Sequence, residues 1–332
     1  MEEHLEGPLE SVYARQKLML RSALGPDLRR LLEDPEVTEV YVNTDYIVRV
    51  DSFSGRHKTE VIVTPERVKN ICNIVAGINE QIINEDHPKL GVEIHGLNVR
   101  AQLLYPPIVT RPTFFFRKKP ARVFSMEEYL ENGSISRHYY DAIVNAIRTH
   151  RNLIVVGATG SGKTTFLNAI LKKLSEESPG DRLAVLEDVP ELQCSSDDVQ
   201  YMTISGNRAT SVTMQDLVFV CLRISPNRII IGEVRDAAAY DVLKAWNTGH
   251  PGGFCTLHAN GCADALTRLE SLTLEGMNGA EEYIKQLIGS VVDYVVSIQR
   301  VVADGRSVRR VDEMIEVKGY DPVKKVYMTA PV

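Results

Sequence analysis

The sequence predicts an α/β protein: a C-terminal domain on a largely parallel sheet, preceded by a smaller α+β domain. Three observations carry this. The second half alternates helices with short apolar runs, Leu153–Val156, Leu183–Glu187, Ile229–Gly232 and Phe254–Leu257, each flanked by turn residues. Such runs suit strands buried on both faces. The first of them enters a glycine-rich loop and then a helix, and the first half mixes strands and helices without that alternation. A length of 332 residues fits about two domains.

Taken in order, residues from about 10 to 35 show leucines at broadly helical spacing, interrupted at Gly25-Pro26, with Asp27 as the candidate cap of a second helix. Glu39–Asn43 and Tyr46–Val50 read as paired strands around a turn at Thr44-Asp45. A helix from Pro65 to about Ala76 follows, then strands near Val92–Ile94, Asn98–Leu104 and Thr113–Arg117. The run Lys118 to Arg122, with its charges and Pro120, breaks the periodicity. The expected division is therefore residues 1–118, a linker over 119–135, and residues 136–332. The last begins with a helix around Ser136–Thr149 and ends in edge strands at Tyr294–Ile298 and Arg309–Val317. No internal repeat or low-complexity segment stands out.

The loop after Leu153–Val156 reads Gly157-Ala158-Thr159-Gly160-Ser161-Gly162-Lys163-Thr164-Thr165. It fits G-x-x-x-x-G-K-[ST] in the strand–loop–helix setting that gives the pattern its meaning. Its backbone N–H groups and the positive end of the next helix suit the phosphates of a nucleoside triphosphate. Lys163 would reach the β and γ phosphates, and the Thr164 hydroxyl would help to coordinate Mg²⁺.

A phosphate loop alone hydrolyses nothing; acids must serve the metal and the attacking water. Two strands end in acids: Leu183–Glu187, followed by Asp188 and Glu191, and Arg228–Gly232, followed by Glu233, Arg235 and Asp236. In the second, Gly232 stands where a metal-facing aspartate is usual, and Glu233 is placed to orient water or take its proton. Glu187 would act at the metal or its water shell, with Asp188 and Glu191 competing for that role. A third run, Gly249 to Asn260, puts Thr256 and His258 on one strand face. His258 reads as a γ-phosphate contact or as a satisfied core residue. It makes no metal set with His250 and Cys255, since no fourth ligand has credible spacing.

Composition narrows the classes. A formal charge of −6 argues against a dedicated duplex-DNA binder, leaving DNA contact unlikely or indirect. The five cysteines are scattered and lack a C-x-x-C pair, as free thiols in a reducing cytoplasm would be. Met1–Leu9 is acidic, the wrong charge for a signal peptide, and no apolar run approaches the ~20 residues that span a bilayer. Membrane contact is expected to be peripheral or through partners.

Phosphate loop, Glu187-Asp188, Gly232-Glu233-Val234-Arg235-Asp236 and Thr256-Leu257-His258-Ala259-Asn260 occur in the order that marks the secretion ATPase superfamily of type II and type IV systems. The chain resembles that family, which includes pilus-retraction motors. Within it the conjugative-transfer branch, kin of the eleventh VirB protein, is most similar. That match is carried by Gly25-Pro26, Glu39–Asn43, Tyr105–Val109, Phe116–Lys118, Val123–Ser125 and Asn152–Asn168. The type II branch carries a four-cysteine metal insert that this sequence lacks.

The resemblance implies a PAS-like N-terminal domain, a RecA-like ATPase domain, and a ring-shaped homohexamer with ATP between the domains. Its partners would be inner-membrane and cytoplasmic components of a type IV secretion system, and it would work in the cytoplasm at the inner membrane. The family's N-terminal-domain arginines match Arg100 and Arg117, whose guanidinium forks suit phosphate; the match does not fix a role for Arg111. Rival readings on the same core are a pilus-retraction motor, a nucleic-acid translocase, and a scaffold whose nucleotide only holds the ring together.

Overall fold

The computed structural model describes residues 8–52, 55–94, 97–118, 122–204, 212–276, 281–303 and 306–332, with side chains from residue 15 onward except at 302–307. Residues 1–7 of the acidic start and 119–121 of the expected linker lie outside the described residues. The chain forms two compact units divided at residue 122, except that residues 306–307 group with the first.

The first unit comprises α1 (Pro8–Glu33), β1 (Val37–Val42), β2 (Ile47–Ser52), β3 (Gly55–Ile62), α2 (Pro65–Ile78), β4 (Lys89–Ile94), β5 (Val99–Leu104) and β6 (Thr113–Lys118). Its strands make a six-stranded sheet in the order β3-β2-β1-β6-β5-β4, antiparallel throughout. Alternation sorts the side chains. Val40, Val42, Val99, Ala101, Leu103, Phe114 and Phe116 are buried in one core with Leu20, Leu24 and Leu28 of α1 and Val68, Ile71 and Val75 of α2. By period two, Glu39, Tyr41, Arg100, Phe115 and Arg117 take the other face.

α1 breaks where Gly25-Pro26 interrupts it, with Gly25 at φ 57°. Asp27 does not cap the second segment as expected. Its Oδ1 takes the N–H of Leu28 at 2.9 Å, one residue on, and its carboxylate is held by Arg67 of α2 at 2.8 and 2.5 Å. Arg67 also donates to the carbonyls of Ala23 and Leu24, at 3.0 and 2.5 Å. These are carbonyls that the helix break would orphan, so one guanidinium closes the first segment and anchors the second. The Arg67 hydrogen bond, against a smaller effect of burial, holds the Asp27 carboxyl below its usual range.

The second unit comprises α3 (Met126–Glu131), α4 (Arg137–Arg148), β7 (Leu153–Val156), α5 (Lys163–Glu177), β8 (Leu183–Glu187), β9 (Val199–Thr203), α6 (Met214–Ile224), β10 (Arg228–Val234), α7 (Ala239–Asn247), β11 (Phe254–Leu257), α8 (Cys262–Glu275), α9 (Glu281–Val291), β12 (Tyr294–Ala303), β13 (Arg306–Asp321) and β14 (Val326–Pro331). The sheet order is β14-β13-β12-β7-β11-β10-β8-β9. Every pair from β12 to β9 is parallel, and β13 pairs antiparallel with β14. Both faces are covered. Leu153, Val155, Val185 and Ile230 pack with α3, α4 and α5, whereas Ile154, Val156, Leu186 and Ile231 pack with α6, α7, α8 and α9.

Within 119–135, read from sequence as linker, α3 is a built element. Ser125 and Glu128 exchange capping bonds, Oγ from N–H at 3.2 Å and Oε2 from N–H at 2.8 Å. Tyr129 lies against Phe166 of α5, ring centres 5.1 Å apart. All five cysteines are free.

Asn152 ties the central strands together. Buried at the entry to β7, it donates to the Val291 carbonyl at 2.7 Å and accepts from the Gly253 N–H at 2.9 Å. Truncation leaves both backbone groups unpaired, a cost of about 2 kcal/mol. Asn152→Ala is therefore expected to lower unfolding stability by about that amount. Denaturant titration read by Trp246, the single tryptophan and 3% exposed, checks this.

Candidate functional site

Parallel strands place their C-terminal ends at one edge, where ligands of such sheets bind. Here β7, β11, β10 and β8 are consecutive neighbours, so their ends bring together the phosphate loop, His258, Glu233, and Glu187 with Asp188.

Gly157 to Gly162 form the turn between β7 and α5, and Lys163, Thr164 and Thr165 make the first turn of the helix. Gly162 is the N-cap at φ 102°, with no side-chain cap bond. The first-turn N–H groups thus lack the side-chain acceptor that usually satisfies them, the arrangement that suits an anion. Gly162 suits this position because an L side chain rarely adopts that φ; a Cβ would also stand 2.7 Å from Cδ of Arg309, which would have to shift. Arg309, which the sequence placed only at the start of an edge strand, therefore lies against the loop from β13. Nothing in its local sequence marks it.

The buried ammonium of Lys163 donates to the carbonyls of Gly157 and Ala158 at 2.9 and 3.1 Å, and lies 3.1 Å from Nδ1 of His258. The other ring nitrogen, Nε2, is 2.9 Å from Oε1 of Glu233. Burial first, then the Lys163 charge, hold the imidazole below its ordinary pKa, although Glu233 pulls the other way; Arg235 and Arg268 add to the lowering. The ring is therefore neutral at pH 7. An ammonium can only donate, so Nδ1 accepts from Lys163 and the proton sits on Nε2, which donates to Glu233. Of the two sequence readings of His258, the structure places it between the loop and the acid.

Glu233 is 18% exposed at its side chain, and its second oxygen takes a bond from Arg235 at 2.6 Å. Burial opposes its charge, but the Arg235 bond and the Arg235 and Lys163 charges, joined by that of His258 only where the ring is protonated, outweigh it and hold the carboxyl below its usual range. It is an ionised carboxylate.

Backbone geometry aims it. Pairing of β10 with β11 slips between Ile231↔Cys255 and Val234↔Leu257, so Gly232 and Glu233 form a bulge. Thr256, buried on β11, donates to the Gly232 carbonyl at 2.6 Å. Gly232 has a packing reason to be glycine: a Cβ there would stand 3.1 Å from Cγ of Glu187. Any larger residue there requires the Glu187 side chain to give by a few tenths of an ångström.

Glu187 is 4% exposed, and its Oε1 accepts the N–H groups of Glu191 and Leu192, both at 2.8 Å. Asn168 of α5 holds the same segment by bonds with Glu191 O at 3.1 Å and Gln193 N–H at 2.8 Å. Part of the carboxylate thus shapes the loop after β8. Asp188 instead takes a bond from Arg235 at 2.9 Å.

Arg100 and Arg117 belong to the first unit. They are directly opposite one another on β5 and β6, and the row continues to Glu93 on β4 and Glu39 on β1. Like charges opposite each other are unfavourable unless acids or an anion offset them, and here acids flank both ends. Arg111 lies over the Tyr46 ring, 5.9 Å from its centre. His250 is committed to the Pro226 carbonyl at 2.8 Å, and no group of three His, Cys, Asp or Glu able to hold a metal occurs among the described residues.

A family described as type II/IV secretion system protein matches residues 78–324. The chain belongs to this family. Conjugal transfer protein TrbB of Rhizobium radiobacter is 36% identical over 91% of this chain and 90% of its own length. VirB11 of the Bartonella quintana type IV secretion system is 27% identical over 89% of this chain and 91% of its own. Among solved structures, the ATPase DotB of Legionella pneumophila aligns with TM-score 0.64 at 20% identity, covering 85% of this chain and 79% of DotB. That likeness shows the fold: an N-terminal domain followed by a RecA-like domain, the class expected from sequence.

The Gly232 contact yields a direct check within this family. Gly232→Asp introduces the acid usual at this position in other phosphate-loop proteins, crowds Glu187 and adds a second carboxylate beside it. It is expected to lower stability by about 1–3 kcal/mol, read from the Trp246 unfolding curve. An unchanged midpoint would show that the glycine is not a packing requirement.

Proposed function

We propose that this chain is an ATP-hydrolysing motor of a type IV secretion or conjugal-transfer system. The observation that carries the reading is the continuous line from Lys163 through His258 to Glu233, which joins the phosphate loop to an ionised carboxylate. The choice of secretion rests on the family and on the TrbB relative.

In this reading the loop N–H groups, Lys163 and the α5 N-terminus bind the triphosphate. Phosphate oxygens compete with His258 for the Lys163 ammonium. When Lys163 turns to phosphate, Nδ1 of His258 loses its donor, and the carboxylate at the far side of the ring registers that phosphate is present. Glu233 positions the attacking water and accepts its proton. The donor set suits Mg²⁺ only together with phosphate oxygens, since a hard cation takes few protein ligands at such sites. Thr164 and, through water, Glu187 would hold it, and when bound it neutralises charge on the phosphates. The buried Ser161 hydroxyl, without a hydrogen-bond partner among the described residues, is a further polar group of the loop.

Arg100 and Arg117 are proposed as phosphate ligands on the family resemblance. Their direct opposition across β5 and β6 supports service to one anion. Assembly as a homohexamer and work at the cytoplasmic face of the inner membrane with secretion components are part of the same proposal. No helix among the described residues is long and apolar enough to cross a membrane.

Phosphate-release assays test it. Lys163→Ala is expected to abolish turnover, and Glu233→Gln to keep nucleotide binding while losing about 10²–10⁴-fold in kcat. Full turnover by Glu233→Gln would remove this residue from the chemistry. Thr256→Val should lose turnover through the released bulge, whereas Thr256→Ser, which keeps the hydroxyl, should retain most of it.

A further inference from the structure

We propose that Arg235 is the positioning residue for Glu233, anchored by Asp188, so that the acidic ends of β8 and β10 act as one unit. The inference rests on the reading of this site as an ATPase centre. Arg235 follows β10, two residues after Glu233, and its side chain turns back to that carboxylate. Its guanidinium spans two carboxylates: Nη2 to Oε2 of Glu233 at 2.6 Å and Nη1 to Oδ2 of Asp188 at 2.9 Å. Glu233 thereby has a donor on each oxygen, His258 on one and Arg235 on the other. Two donors fix the rotation of a carboxylate that one donor would leave free to swing.

Magnitudes separate this role from a structural one. The Arg235 side chain is 49% exposed and that of Asp188 30%. Ion pairs that exposed contribute roughly 0–1 kcal/mol to folding. Catalysis is more sensitive, since a displacement of about 1 Å at a reacting group can cost on the order of 10²-fold. The neighbouring Asp236 does a different job: its Oδ1 accepts the Ala238 N–H at 3.0 Å, shaping the turn into α7. Of the two adjacent charged residues in Gly-Glu-x-Arg-Asp, one builds the turn and the other aims the acid. The fork matters because a lysine supplies one charged point and cannot span both carboxylates with fixed geometry.

Steady-state ATP hydrolysis by the full chain tests this, with mant-ADP binding and melting midpoints measured alongside. Arg235→Gln is expected to lower kcat about 10- to 100-fold, with KM, mant-ADP affinity and melting midpoint little changed. Arg235→Lys should recover part of the loss. Asp188→Asn should cause a smaller fall, and adding it to Arg235→Gln should cost nothing more, because the anchor has nothing left to hold. Unchanged kcat in Arg235→Gln, a loss wholly in KM or in the melting midpoint, or full additivity in the double variant would each overturn the proposal. Should Arg235→Gln not fold, Arg235→Lys against Asp188→Asn decides by the same split. A wild-type chain without turnover sinks the ATPase reading itself, whereas an active wild type with unaffected Arg235 variants sinks only this inference.

Discussion

A buried ammonium must find acceptors, and the arrangement around Lys163 follows from where it finds them. Two are carbonyls of its own loop and the third is a ring nitrogen from a neighbouring strand. The third is the consequential one. It makes His258 an acceptor on one side, which obliges it to be a donor on the other, and that donor is aimed at Glu233. A charge at the phosphate loop is thereby linked to a carboxylate on β10 through one neutral ring. The link needs β11 between β7 and β10, which is the observed strand order.

The rest of the site keeps this line in register. The bulge at Gly232-Glu233 turns the carboxylate out of the strand, and Thr256 occupies the carbonyl that the bulge releases. Gly232 leaves room for Glu187, whose Oε1 is spent on the loop after β8. Thr256 and His258 are thus two parts of one device on the same strand end, the first setting the backbone and the second contacting the acid. The spacing Thr-x-His reflects that geometry.

Much of the fold could be read from the sequence where periodicity was strong. The strands β7, β8, β10 and β11 are built on short apolar runs because both of their faces are buried. The edge strands β9 and β14 leave no such signal, because their residues are mostly exposed or half-buried. α3 was hidden in a stretch dominated by charge and proline, although Ser125 and Glu128 spell a capping box. Asp27 shows a tertiary partner overriding a local signal, since nothing near it in sequence reveals Arg67. The phosphate loop, Glu233 and His258 stood out as motifs. Arg309 did not, being one arginine in a β-strand whose meaning depends on Gly162 being next to it in space.

The central claim is that neutral His258 carries its proton on Nε2 and accepts from Lys163 at Nδ1. Nitrogen-15 NMR of the nucleotide-free protein with labelled histidine, assigned by loss of one signal in His258→Asn, measures this directly. The account predicts a neutral ring at pH 7 with a protonated Nε2 and an unprotonated, hydrogen-bonded Nδ1. A charged imidazolium, or a proton on Nδ1, would contradict it.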